Sequence, residues 1–155
     1  MAVGRYSDPA DNLESFSETW NGTRWTIQPA SGTQLSSVWC AGPNFCVAAG
    51  ALFTNDTALD QIWNGKSWRL LTWVSRHKVY YAGADLGVSC VGQTFCMLVG
   101  YSAAEWNDGS WSNHSMPGLI GPCYVEFCPA IFLGVSCVSK TFCVRQHGPV
   151  HGRRQ

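Results

Sequence analysis

The eight cysteines of this chain are its most evident chemical groups, and they occur as closely spaced pairs. Paired thiols can form disulfides or bind a metal ion. Three pairs follow the pattern C-x5-C, with a valine two residues before the first cysteine and a phenylalanine directly before the second. These pairs are Cys40/Cys46, Cys90/Cys96 and Cys137/Cys143. Zinc sites favour spacings from C-x2-C to C-x4-C, so the pattern predicts three disulfides, each within one hairpin.

The fourth pair, Cys123 and Cys128, has the spacing C-x4-C and lies outside this repeat. We expect it to close a loop with a disulfide, and the alternative is a zinc site shared with Cys137 and Cys143. No cofactor is predicted, because no Gly-rich phosphate loop, H-E-x-x-H or G-x-S-x-G motif occurs. Glycoside hydrolysis needs two facing carboxylates, whereas the acidic residues here are scattered. We therefore expect no enzymatic activity, with a glycosidase-like hydrolase as the alternative.

Paired tryptophans form a second motif that recurs every 43 residues. Its copies are WNGTRW from Trp20, WNGKSW from Trp63 and WNDGSW from Trp106. The four residues between the tryptophans favour a hairpin turn with positive φ. A ring repeated once per unit can stack on a sugar or pack between units, and both interpretations stay open. The candidate ligand-binding members are the second tryptophans, Trp25, Trp68 and Trp111.

The two motifs alternate along the chain, so one repeat contains hairpin a–b with its cysteines and hairpin c–d with its tryptophans. Four short strands in about 43–50 residues match one β-propeller blade. We predict an all-β fold of about three four-stranded blades in permuted phase, within residues 1–144. Strands b-c-d occupy 1–30, full blades occupy 35–72 and 85–115, and strand a with part of b occupies 132–144. Residues 145–155 are predicted to be a tail.

The repeat V-S-C-x5-C-x-x-V-G followed by W-N-G-x-x-W resembles the Cys-stapled propeller repeats of large secreted or surface bacterial proteins. This resemblance covers most of residues 1–144 and implies a propeller fold and an exported location. It supplies no catalytic residues. The cysteine content also favours an oxidising compartment, although the chain contains no signal-peptide pattern and no apolar run of membrane-spanning length.

Three blades are too few for a closed ring, which usually has four to eight. We expect either that the chain lacks blades of a longer propeller, or that two chains pair into a six-bladed ring.

The loops between repeats differ in length, and variable loops on a rigid scaffold commonly bind ligands. Ten basic residues balance ten acidic ones, which disfavours nucleic acid or an anionic membrane as partner. We therefore predict a non-enzymatic extracellular binding module for carbohydrate or a cell surface, with a protein partner second. The alternative is a purely structural repeat segment of a larger surface protein. The candidate loop residues, which can also be ordinary solvated positions, are Trp73, Arg76, His77, Lys78, Tyr80, Tyr81, His114, Tyr124 and Glu126.

Overall fold

The structure is a computed structural model that describes residues 1–30, 34–52, 57–58, 60–71, 87–100, 103–114 and 132–147. Within these ranges the chain forms antiparallel strands joined by turns and contains no helix, so the predicted all-β class is confirmed. The described part accordingly has no helix that could cross a membrane. Its strands form four separate sheets and no closed ring, so the propeller type of the repeat stays a prediction.

Sheet one contains three strands in the order β1-β2-β3: β1 (Ala2–Ser7), β2 (Leu13–Trp20) and β3 (Trp25–Pro29). The turn between β1 and β2 is closed by Asp8, whose carboxylate accepts hydrogen bonds from the backbone N–H groups of Ala10 and Asn12. The short polar side chain at this position therefore fixes the return of the chain.

Sheet two contains five strands, and sheet three contains four in chain order. Sheet two has the order β4-β5-β7-β8, with a short strand β6 on the end of β5. Its strands are β4 (Gln34–Gly42), β5 (Phe45–Leu52), β6 (Thr57–Ala58), β7 (Gln61–Trp63) and β8 (Trp68–Leu70). Sheet three contains β9 (Gly87–Val91), β10 (Phe95–Val99), β11 (Ala103–Asn107) and β12 (Ser110–His114).

Sheet four is the hairpin of β13 (Phe132–Ser139) and β14 (Phe142–His147). Strand β14 continues to His147, so it extends three residues into the segment that the sequence assigns to a tail. Backbone pairing with β13 holds these residues in the sheet even though the apolar pattern of the repeat stops at Val144.

The three C-x5-C pairs close the first hairpins of sheets two, three and four as disulfides, as predicted. In each hairpin the two cysteines stand directly opposite each other on neighbouring strands, with Cα atoms 4.0, 3.9 and 4.1 Å apart. The predicted Cys123/Cys128 pair lies outside the described residues.

Cys46 is buried in the core and is therefore not an accessible site residue. Its side chain is 1% exposed, and β5 lies between β4 and β7 in the interior of the sheet. Its sulfur lies 3.9 Å from the carbonyl oxygen of Gly42, but a disulfide sulfur has no proton to donate, so this is a packing contact. Cys46, a candidate chemical group on sequence grounds, is therefore a structural residue of the core that no ligand or metal ion reaches.

The tryptophan hairpins have the predicted positive-φ turns. Gly22 and Gly65 have φ of 99° and 93°, and in each turn the preceding asparagine side chain accepts backbone N–H groups from the residues that follow. The third copy places both Asp108 and Gly109 at positive φ. These local turns set the register, so each pair of tryptophans faces across its hairpin.

The core lies between successive sheets rather than within one. The larger cluster joins Val47 and Ala49 of sheet two to the disulfide of sheet three, Leu98 and Ala104. A second cluster joins Val99 and Ala103 to Phe132 of sheet four. Side chains alternate along a strand, so β10 packs one set of residues against sheet two and the other against sheet four.

Serine hydroxyls join each sheet to the next. Each of three serine hydroxyls accepts a hydrogen bond, 2.9–3.2 Å long, from a backbone N–H group in the first strand of the following sheet. The acceptor–donor pairs are Ser15 with Leu35, Ser37 with Val88, and Ser89 with Cys137. These bonds satisfy backbone groups that the stacking of sheets would otherwise bury without a partner.

Candidate functional site

The three tryptophan pairs have nearly the same geometry. Their ring centroids lie 5.5, 5.6 and 5.5 Å apart with tilted planes, for Trp20–Trp25, Trp63–Trp68 and Trp106–Trp111 respectively. Such cross-strand aromatic pairs stabilise a hairpin in any surroundings. Their pairing is therefore structural in all three copies. The solvent exposure of each ring decides which of them can also contact a ligand.

The first tryptophan of the pair is anchored in the two complete sheets. Trp63 donates its indole N–H to the carbonyl of Pro43, and Trp106 donates to the carbonyl of Gln93, at 3.0 and 3.1 Å. Both carbonyls belong to the turn between the first two strands of the same sheet. Sheet one, as described, lacks a strand equivalent to the one that precedes this turn in sheets two and three. Trp20 of sheet one is half exposed.

The second tryptophans, predicted to bind ligand, differ from one another. Trp68 is half-buried and donates its indole N–H to the hydroxyl of Ser17 at 2.8 Å. Trp111 is half-buried against the core cluster between sheets two and three. Trp25 is half exposed on sheet one. Among the three, Trp25 presents the largest free aromatic surface, while the other two contribute to packing.

Trp25 lies on the face of sheet one that points away from sheet two. Ser15 and Ser17 of β2 point towards sheet two, and alternation along β2 turns Glu14, Phe16 and Glu18 the other way. The strand register adds residues of β1 and β3 to the same side. We call this surface the aromatic–acidic face, and it consists of Tyr6, Glu14, Phe16, Glu18, Trp20, Trp25 and Ile27.

An open groove of about 480 Å³ lies on this face. Tyr6 and Phe16 form its aromatic end, with ring centroids 6.2 Å apart in an edge-to-face arrangement. Glu14, Glu18 and Ile27 also line the groove. The groove thus combines aromatic and apolar side chains with carboxylate oxygens.

Glu18 was not predicted from the sequence as a site residue, although its position in the repeat indicates such a role. It stands two residues before Trp20, where the other copies have Gln61 and Ala104, both buried. A charged residue at a position that is otherwise buried indicates that this face has water or a polar partner beside it.

The two glutamates of the groove lie four residues apart on one strand, and at about 3.3 Å per residue their Cα atoms are roughly 13 Å apart. Glu14 and Glu18 can accept hydrogen bonds from a ligand that extends along the strand.

The predicted loop surface is only partly described. Trp73, Arg76, His77, Lys78, Tyr80, Tyr81, Tyr124 and Glu126 all lie outside the described residues. His114 ends β12, and its Nε2 is 2.8 Å from a carboxylate oxygen of Glu105 on the neighbouring strand. This pair, with His114 exposed and Glu105 half-buried, lies on sheet three, remote in sequence from the aromatic–acidic face. Within the described ranges, no three histidine, cysteine or acidic side chains are grouped closely enough to hold a metal.

Comparison with known proteins found no matching family model, no matching curated protein and no matching solved structure.

Proposed function

We propose that this chain is a non-enzymatic, exported binding module built from propeller-type repeats, and that it binds carbohydrate on the aromatic–acidic face of sheet one. The observation that carries the proposal is the exposure of Trp20 and Trp25 on the same face of sheet one as a groove lined by two carboxylates. Flat apolar rings stack against the C–H face of a sugar, while carboxylates accept bonds from its hydroxyl groups.

The disulfides support the exported location. Three cysteine pairs within hairpins fit an oxidising environment, where such bonds persist. The residues around Trp73 and Tyr124, which the sequence predicts to be loops, stay a second candidate binding surface, and a protein ligand is the second candidate partner.

A glycan array probed with the oxidised protein tests the proposal. Binding should then be quantified by calorimetry with Trp25→Ala and Glu18→Gln, which remove the ring and the charge in turn. We expect each change to weaken binding about tenfold, equivalent to about 1.4 kcal/mol. Glu105→Gln is the matched control, because it alters a strand glutamate on another sheet. Absence of binding to every sugar on the array, or equal loss in the control, would remove the proposal.

A structural repeat segment is the competing function, and one observation favours it. The exposed tryptophans of sheet one occupy positions that are packed against a neighbouring sheet elsewhere in the chain.

A further inference from the structure

The interface between sheets two and three joins two different kinds of face. Sheet two contributes the face that contains Phe45 and Val47, and sheet three contributes the face that contains its disulfide, Trp106 and Trp111. We call these the Phe–Val face and the Trp face. The strand register places each set on one side of its sheet.

Sheet four leaves its Phe–Val face exposed. Phe142 is 59% exposed, whereas the equivalent Phe95 of sheet three is 3% exposed. Val144 is 58% exposed, whereas Val47 of sheet two is 1% exposed. The sequence keeps apolar residues at both positions, as T-F-C-V, although no described part of the chain covers them.

Sheet one leaves its Trp face exposed in the same way. Trp20 is 50% exposed, whereas the equivalent Trp63 is 5% exposed. This Trp face is part of the aromatic–acidic face and includes the strongly exposed Ile27. The chain therefore displays both halves of its own internal interface, one at each end of the series of sheets.

We propose that a second copy of this chain docks head to tail, with the Phe–Val face of its sheet four on the Trp face of sheet one. The interface between sheets two and three is the template, because equivalent residues already pack that way within the chain. The contact is heterologous: each copy contributes a different face, so the two patches need not be self-complementary. The apolar surface buried on both sides drives the association.

Glu18 adds a feature that separates docking from sugar binding. Its equivalents in the other copies are uncharged, so docking must desolvate a carboxylate that the internal interface lacks. Glu18→Gln, which installs the residue of sheet two, should strengthen docking several-fold. The same change should weaken sugar binding, so the two proposals predict opposite effects of one substitution.

Sedimentation equilibrium of the oxidised protein over a wide concentration range provides the test. We expect a mass that rises with concentration above the 17.0 kDa of one chain. Ile27→Lys on the Trp face and Val144→Lys on the Phe–Val face should each abolish association. An equimolar mixture of the two variants should form one-to-one pairs, because each retains the face that the other needs. Leu13→Lys, an exposed position on the opposite side of β2, should associate like the unaltered chain.

Three results would overturn the proposal. One is a mass of 17.0 kDa at every concentration. The second is a mixture of the two lysine variants that stays monomeric, since it would show that the two faces do not pair with each other. The third is association that only one of the two variants abolishes, since it would show that a face pairs with itself. A chain that associates but binds no sugar would leave this inference standing and remove the proposed function alone.

Discussion

The indole N–H of Trp68 donates a 2.8 Å hydrogen bond to the hydroxyl of Ser17, which lies 51 residues earlier in the chain. Ser17 is fully buried, and its hydroxyl in turn lies within donating distance of the carbonyl of Gln28. The second tryptophan of sheet two therefore ties two sheets together through a buried polar contact.

Trp68→Phe should destabilise the fold by about 1–2 kcal/mol, because it removes this bond while keeping an aromatic ring beside Trp63. Urea unfolding followed by circular dichroism measures the change in the free energy of unfolding. Trp25→Phe is the matched control: it alters the same position of a hairpin on an exposed surface. Equal losses in the two variants would contradict a specific role for the Ser17 contact.

Removing the disulfide of sheet four, with Cys137→Ala and Cys143→Ala together, should cost about 2.4 kcal/mol, the chain-entropy value for so small a loop. The same double change at Cys90 and Cys96 should cost more. Those cysteines are buried in the core, so shortening them also leaves unfilled space. Thermal unfolding of both variants makes the comparison, and a larger loss in sheet four would show that burial is not the deciding difference.

Gly87→Ala should force sheets three and four apart. A Cβ at this position would lie 2.8 Å from the Cα of Gly134, which is backbone and cannot move aside like a side chain. We expect a loss of about 1–3 kcal/mol from overpacking. Gly134→Ala is the control, since a Cβ there meets no atom within 4 Å. Similar unfolding free energies for the two variants would disprove the close approach of the sheets.

Asp60 should make the stability of the fold fall as pH rises. Burial raises the pKa of its carboxyl to about 7, against an ordinary value of 3.8, and the backbone N–H of Gly50 opposes this only in part. The folded state thus favours the protonated acid. Its contribution is complete below about pH 4 and is lost as the pH rises towards 7.

Asp60→Asn should remove this pH dependence and stabilise the protein above pH 7 by up to about 4 kcal/mol, at about 1.4 kcal/mol per pKa unit. Urea unfolding at several pH values from 4 to 8 tests the prediction. Asp8→Asn is the control, because hydrogen bonds from Asn12 lower the pKa of that exposed carboxyl. Asp8→Asn should therefore leave the decline between pH 4 and 7 in place. A flat profile in the unaltered protein would count against a buried acid at Asp60.

Local features of the fold were predictable from the sequence. The cysteine spacing indicated hairpin disulfides, and Asn-Gly between tryptophans indicated turns with positive φ, because both depend on residues a few positions apart. The candidate site was harder to predict from the sequence. Trp25, Trp68 and Trp111 hold equivalent places in the repeat, yet the exposed ring of Trp25 differs from the hydrogen-bonded ring of Trp68. The loop residues from Trp73 to Tyr81 stay a prediction.

The sequence by itself determined which strands pair and in what register, since turn type and the two-residue alternation of strands are local properties. Tertiary structure decided which face of each sheet is covered, because burial depends on a neighbouring sheet that is distant in sequence. Trp20 and Trp63 have the same local sequence, W-N-G, and stand in the same hairpin position. One is half exposed and the other is buried, because only the sheet of Trp63 has its own first hairpin and an earlier sheet to pack against.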